Sequence, residues 1–347
     1  MSGADGRVTI VTEDPGDPDP RVIDAGPLPG YLWTTWLTQR YRARRYLRVV
    51  RRLNLPPATP LVFNNVINAA ACAAELPHPT VGFINDYNNL PSERGRYRWT
   101  ERLGKRLLAD AERRAARRVD RVVVNSRFMK DRISAAYGLS PAKIDVLYKG
   151  LAIPPDAPPV RPFVPGQPTE LLFVKSDFRR GGLPDLLKAL FRLPSDRSYH
   201  LAVVGTTRAA YTAQLGKLTS PSHVRITWLG RIAQAEVRTL MDRAHIFCSP
   251  ARSEALGVAN MEAMTRRCRT ITTDVGGIPE VTDGGNNCVV VPPNQPEAIV
   301  RAIITLEAEP YPVAEARAAL ARTYIIDHFD ESLAYQRLLS IVAKVQR

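Results

Sequence analysis

The sequence predicts an α/β protein built from two doubly wound, Rossmann-like domains. Three observations carry that prediction. The chain has 347 residues, more than the roughly 100–200 that one domain commonly holds. Short β-rich runs alternate with stretches of helical periodicity along most of it, the pattern of parallel sheets covered by helices. Residues 151–170 carry seven prolines, at 154, 155, 158, 159, 162, 165 and 168, a density that blocks helix and central strand alike. The expected organisation is an N-terminal domain over 1–152, a stiff Pro-rich linker over 153–169, a second domain over 170–325, and a terminal segment over 326–347.

In the second domain, strands are expected at 171–175, 201–204, 226–229, 246–249 and 270–273, and helices at 183–193, 209–218, 233–244, 257–267 and 296–307. The first domain repeats the alternation with strands at 8–12, 61–64, 81–85, 122–125 and 144–148 and helices at 33–53, 96–118 and 129–137, and 331–345 is a last helix. Such sheets bind ligands beyond the carboxyl ends of their strands.

Composition narrows the class. The apolar fraction is 45%, that of a soluble globular protein. No apolar run reaches the roughly 18 residues that span a bilayer, and the front of the chain shows no secretory h-region. Cys72, Cys248, Cys268 and Cys288 form no close pair, and the five histidines are scattered. Reduced thiols, a cytoplasmic setting and no bound metal are therefore expected. The net charge of +14 favours an acidic partner. Nucleic acid is not expected, because the charge is spread along the chain without a recognised motif. Helix 33–53 is rich in arginine (40, 42, 44, 45, 48, 51, 52), with one apolar stripe of Ala43, Tyr46, Leu47, Val50 and Leu53 and with Trp33 and Trp36 at its start. That pattern suits either packing on the sheet or an anionic membrane surface.

The densest chemical signal is Ser249-Pro-Ala-Arg-Ser-Glu-Ala-Leu-Gly-Val-Ala-Asn-Met-Glu262. It puts two carboxylates, Glu254 and Glu262, eight positions apart across a glycine at a strand-to-helix turn. Glu262 falls among Val258, Ala259, Met261, Ala263 and Met264, and a carboxylate in apolar surroundings needs a partner. Backbone N–H groups at a helix start suit an anion. Acids for hydroxyls beside amides for an anion point to a phosphorylated, hydroxyl-rich ligand such as a nucleotide sugar.

This stretch resembles the E-x7-E signature of retaining glycosyltransferases of family 4, which have the GT-B fold. The resemblance continues in Thr273-Asp-Val-Gly-Gly-Ile-Pro-Glu280, Asp283-Gly-Gly-Asn-Asn-Cys-Val-Val-Val-Pro-Pro293, Val122-Val-Val-Asn-Ser126 and Ile144-Asp-Val-Leu-Tyr-Lys-Gly150. It implies two Rossmann-like domains facing a cleft, a terminal helix crossing back onto the first, and sugar transfer with retention from a nucleotide-diphosphate sugar, with no metal or other cofactor. It assigns Glu254 to the donor-sugar hydroxyls, Glu262 to the ribose hydroxyls, and the N–H groups of Leu256, Gly257 and Val258 to the sugar and distal phosphate. Gly182 and Arg231 fall in further donor-side loops. Asn64, Asn65 and Asn85 follow strand ends on the acceptor side, where Asp86 is the candidate for orienting an acceptor hydroxyl. The implied acceptor is a sugar, a lipid-linked sugar or a small molecule, and the protein is placed in the cytoplasm with the inner membrane face as a surface to dock on.

Two departures stand out. The family loop "G-R-x5-K-G" here reads Val174-Lys-Ser-Asp-Phe-Arg-Arg-Gly-Gly182, with Ser176 at the Arg position and Gly181 at the Lys position. Arg180 or Lys175 is left to supply the missing charge. The front, Gly6-Arg-Val-Thr-Ile-Val-Thr-Glu13 followed by the acidic, Pro-rich 14–20, lacks the usual Gly-rich turn, so either the first β–α unit is absent or 8–12 has taken its place; absence would leave a gap for a second copy or a partner to fill. Alternatives are a catalytically impaired relative acting as a nucleotide-sugar-binding or partner module, and a GT-B nucleotide-sugar epimerase. Glycoside hydrolysis requires carboxylates facing each other across a bond, a different geometry.

Overall fold

A computed structural model describes residues 10–12, 22–24, 35–87, 90 and 99–346; the loop 14–20 and Trp33 lie outside the described residues. The chain divides into two compact units. The first takes Met1–Asn125, Met129–Leu147 and Arg337–Arg347, and the second takes Ser126–Phe128 and Tyr148–Gln336.

In the first unit, β1 (Ile10–Thr12) pairs in parallel with β2 (Val22–Asp24) as a two-stranded sheet. The sequence reading missed β2, a three-residue run too short to show a period. Strands β3 (Leu61–Phe63), β4 (Thr80–Ile84), β5 (Arg121–Val124) and β6 (Ile144–Val146) form a separate parallel sheet in that order. Val81, Val122, Val123 and Val124 are fully buried, as strands covered on both faces require. Helix Thr35–Leu53 buries Ala43, Leu47 and Val50, one apolar stripe at helical spacing, and Tyr46 meets the edge of Phe63 at 6.1 Å. Helices Trp99–Arg118 and Arg127–Tyr137 complete the layers. The last turns of helix Glu331–Ala343 also belong to this unit. Ile341 packs with Val81 and Val123, and the Lys344 ammonium lies 2.6 Å from Asp145, which Arg121 holds from the other side at 2.7 Å.

The second unit is a six-stranded parallel sheet, with strands β7 (Thr169–Val174), β8 (Tyr199–Val204), β9 (Val224–Gly230), β10 (Ile246–Ser249), β11 (Arg269–Thr272) and β12 (Val289–Val290). Their order in space is β12-β11-β10-β7-β8-β9. Alternation along β7 divides the core: Leu171 and Phe173 pack against helices Leu183–Leu190 and Pro296–Ala308, and Leu172 against helices Gln234–Arg243 and Val258–Thr265. The strand order reverses between β7 and β10. That is the topological switch point, where doubly wound sheets open a crevice at the carboxyl ends.

Helix Tyr311–Phe329 was not foreseen. Its buried face is largely alanine (Ala314, Ala318, Ala321), which marks no strong apolar stripe in the sequence. Residues 152–168 form no regular element and cluster with this unit. Val160 is buried against Ala314 and Ala318, and its N–H donates to Glu315 at 2.6 Å.

Replacing Ile341 by Ala removes a fully buried side chain from the first unit, at an expected cost of about 2–5 kcal/mol. Hydrogen exchange at β4 and β5 is the measurement. Faster exchange is expected there, with the second unit's strands unchanged.

Candidate functional site

The site is built around the loop that follows β10. Three neighbouring segments fix its backbone. The Thr272 hydroxyl donates to Ser249 O at 3.1 Å and the Thr273 hydroxyl to Ala251 O at 2.7 Å. Arg252 N donates to Arg180 O at 2.7 Å, and the Arg252 guanidinium grips buried Asp185 through two 2.8 Å bonds. Bidentate Arg–carboxylate pairs fix orientation as well as adding energy. From the third side, Gly276 at φ 64° packs on the Glu254 carbonyl, and a β-carbon there would lie 1.7 Å from that oxygen. Only glycine combines that φ with that approach. Gly277 N donates to Glu254 O at 3.2 Å. The Ser126 hydroxyl donates to Ala255 O at 2.7 Å.

The loop then turns into helix Val258–Thr265 through Gly257, at φ 99°. Among the described residues the N–H groups of Leu256, Gly257 and Val258 donate to no acceptor. Three amides at a helix start make a positively polarised cradle. Glu254 stands at one end of it. One of its oxygens accepts from Ala255 N at 3.0 Å, and the other is held by the Lys175 ammonium. Glu262, two turns into the helix, accepts from Gln234 Nε2 at 2.6 Å. Burial raises the Glu262 carboxyl above its ordinary value, against the opposing pull of Arg238 and Lys149.

The structure places Lys175 directly after β7, on the other side of the switch point from Glu254, and joins the two as an ion pair. This accounts for Gly181. A β-carbon at that position would lie 2.7 Å from Phe173 Cζ and 2.9 Å from Lys175 Cβ and Cγ. The Lys175 stem therefore fills the space into which a longer residue 181 would grow. The Arg180 guanidinium reaches Ser253 Oγ at 3.3 Å, within the clamped loop. Gly182 packs its α-carbon on the Pro250 carbonyl and starts helix Leu183–Leu190, and its N–H is used in a turn to Arg179 O at 3.2 Å. Ser176 and Arg231 are exposed at the carboxyl ends of β7 and β9.

Glu280 has a structural placement. Its carboxylate accepts from Arg127 N at 2.8 Å, Phe128 N at 2.9 Å and the Tyr148 hydroxyl at 2.7 Å. In the first unit, Asn85 Nδ2 donates to Asn64 O at 3.0 Å and Asn125 Nδ2 to Asn85 O at 2.7 Å. These bonds stitch together the carboxyl ends of β3, β4 and β5. Asn65 caps the short helix Val66–Ala69 by accepting from Ile67 N at 2.9 Å. Asp86 is exposed just past β4. The residues that sequence reasoning missed are Asn125, Gln234, Arg252 and Asp185. All act through neighbours distant in sequence, and only Arg252 and Asn125, each inside a quoted motif, carried any signal.

Among the described residues no cluster of His, Cys, Asp and Glu could hold a metal ion. The four cysteines are buried and form no disulfide. Burial pushes the thiols of Cys72, Cys268 and Cys288 up to about 12, so they pack as apolar groups.

Two outcomes follow. Gly276→Ala should cost about 1–3 kcal/mol in backbone strain and displace Glu254, seen as a lower denaturation midpoint. Glu262 contributes a pH-dependent term whose sign follows from its raised value. The folded form keeps its proton where the unfolded chain has lost it, so stability falls as pH rises from the ordinary carboxylate value through the raised one. Glu262→Gln should flatten that fall when denaturation midpoints are compared across the window.

Residues 1–153 match the family model described as Glycosyltransferase Family 4, and residues 160–323 match that described as Glycosyl transferases group 1. The chain is 26% identical over 262 residues to the α-maltose-1-phosphate synthase of Mycolicibacterium smegmatis, covering 67% of this chain and 65% of that protein. It is 26% identical over 269 residues to a glycogen synthase of Mycobacterium tuberculosis, covering 73% of this chain and 63% of that one. The chain thus spans less than two thirds of the length of these curated relatives. Among solved structures, the sucrose-phosphate synthase of Thermosynechococcus elongatus superposes with a TM-score of 0.73 at 18% identity, covering 96% of this chain and 86% of that one. The Anabaena protein HepE in complex with UDP-glucose superposes with a TM-score of 0.69 at 18% identity, covering 93% and 86%. With a glycosyltransferase family model matched in each half and a GT-B backbone throughout, the chain belongs to the GT-B glycosyltransferases.

Proposed function

We propose that the protein transfers a sugar from a nucleotide-diphosphate sugar to an acceptor hydroxyl with retention at the anomeric carbon. One observation carries this reading: two carboxylates, Glu254 and Glu262, flank three amides that donate to nothing among the described residues. An ionised carboxylate only accepts hydrogen bonds, which suits a pair of hydroxyls. Glu254 takes the donor-sugar hydroxyls and Glu262 the ribose hydroxyls, each charge-assisted bond contributing about 1.5–3 kcal/mol. The N–H groups of Leu256, Gly257 and Val258 take the distal phosphate, where negative charge grows as the sugar leaves. A neighbouring structure, HepE, is held with UDP-glucose, which makes UDP-glucose the first donor to try.

The reaction breaks the bond between the anomeric carbon and the phosphate oxygen and forms one from that carbon to the acceptor oxygen on the same face. The acceptor proton passes to the departing phosphate oxygen, so no nucleophile from the protein is needed. Lys175 neutralises Glu254. When donor hydroxyls engage Glu254, the ammonium is released towards the diphosphate, with Arg180 beside it. This supplies cationic charge without residue 181, and neither metal nor cofactor is required. In the first unit Asp86, with Asn64, Asn65 and Asn85 near it, is the side that orients the acceptor.

The acceptor belongs to a membrane-facing or polysaccharide context on this reading. Helix Trp99–Arg118 leaves Leu103 51% and Leu107 40% exposed on either side of Lys105 and Arg106 in the chain, a surface suited to anionic lipid. Among the described residues no helix is long and apolar enough to cross a membrane.

Calorimetric titration with UDP-glucose, GDP-glucose and the free nucleotides, followed by product analysis, tests the proposal. Binding is expected, and Glu254→Ala or Glu262→Ala should weaken it about tenfold or more. Lys175→Met should lower kcat/KM about 10- to 100-fold. Binding without turnover indicates the nucleotide-sugar-binding module, and turnover without acceptor an epimerase. No uptake of any nucleotide sugar ends the proposal.

A further inference from the structure

At the amino ends of β7, β8 and β9, opposite the Glu254 loop, the second unit has an open cavity of about 330 Å³. That lies within the size range of small-molecule sites, about 300–1,000 Å³. Its floor is apolar: Leu172, Ala202, Leu240 and Ala244. Arg161, Arg225, Arg243, Glu170 and His200 also line it.

The rim is organised. Arg161 donates from Nη1 to the Arg243 carbonyl at the end of helix Gln234–Arg243, and its own carbonyl accepts from Arg269 Nη1 at 2.7 Å. This fixes Arg161 on one wall, against the end of that helix where Arg243 stands. Arg225 stands on the other, its Nη2 3.2 Å from His200 Nδ1. The carboxylate is already engaged, with Glu170 Oε2 2.6 Å from His200 Nδ1, while His200 Nε2 lies 2.8 Å from Thr227 Oγ1. Among the described residues, neither Arg225 nor Arg243 pairs with a carboxylate. Three arginines and one carboxylate thus line a pocket with an apolar floor, a setting that concentrates positive potential. Guanidinium forks match the oxygens of a phosphate.

We propose that this cavity is a second binding site, for a small phosphate-bearing compound of the sugar-phosphate class. The phosphate sits between Arg225 and the Arg161–Arg243 wall. The carbon skeleton lies over Leu172 and Leu240, and the outer oxygen of Glu170 accepts from a hydroxyl. The site is separate from the Glu254 loop: β7 runs between them, and its six residues span about 20 Å. The two sites therefore hold ligand independently, and this one does not depend on the chain being an active transferase.

The test is calorimetry on the full chain with glucose 6-phosphate, inorganic phosphate and glucose as probes. Glucose 6-phosphate should bind and glucose should not. Arg225→Gln/Arg243→Gln should weaken binding at least tenfold while leaving the melting temperature of the free protein unchanged, because both residues are exposed. Glu254→Ala/Glu262→Ala should leave it intact. Inorganic phosphate binding as tightly as glucose 6-phosphate supports the anion site, with free phosphate as its source. Absence of binding by both phosphate probes overturns the proposal. So does binding that survives the arginine changes or disappears with the two acids.

Discussion

The candidate site depends on how closely backbone meets backbone at the switch point of the second sheet. Gly276 lies on the Glu254 carbonyl and Gly182 on the Pro250 carbonyl, both closer than any β-carbon allows. The loop after β10 is thus wedged between two turns from neighbouring strands. The wedge has a chemical effect. With its carbonyls packed on glycines and threonine hydroxyls, the loop leaves the amides of Leu256, Gly257 and Val258 without acceptors among the described residues. A pre-formed cradle of this kind needs no reorganisation when charge develops opposite it.

Electrostatics at the site follows from the same packing. Glu254 is neutralised from the end of β7 by Lys175, and Glu262 accepts from Gln234 while burial outweighs the pull of Arg238 and Lys149, so its proton is held more tightly. The glycine at 181 is one half of an arrangement whose other half is the Lys175 stem, because two side chains cannot share that volume. On the proposed reading, the cation that position 181 lacks stands instead at Lys175.

The two ends of the second sheet also differ in character. The carboxyl ends carry two acids and, among the described residues, three amides without acceptors. The amino ends carry arginines over an apolar floor. Parallel strands make the contrast possible, since every strand start gathers on one edge and every strand end on the other.

Much of this was legible in the sequence. The short β-rich runs and their alternation with helices gave most strands and helices of both units, because burial on two faces leaves continuous apolar runs. The eight-residue spacing of Glu254 and Glu262 located the site, because spacing across a strand-to-helix turn survives as geometry. Elements below the length at which a period shows, such as Val22–Asp24 and Val289–Val290, were not legible, nor was the alanine-faced helix Tyr311–Phe329. Tertiary structure alone decided the partners: Lys175 with Glu254, Arg252 with Asp185, Asn125 with Asn85. These pairs join residues distant in the chain, and which side chains meet across parallel strands is set by sheet order, which local sequence does not encode.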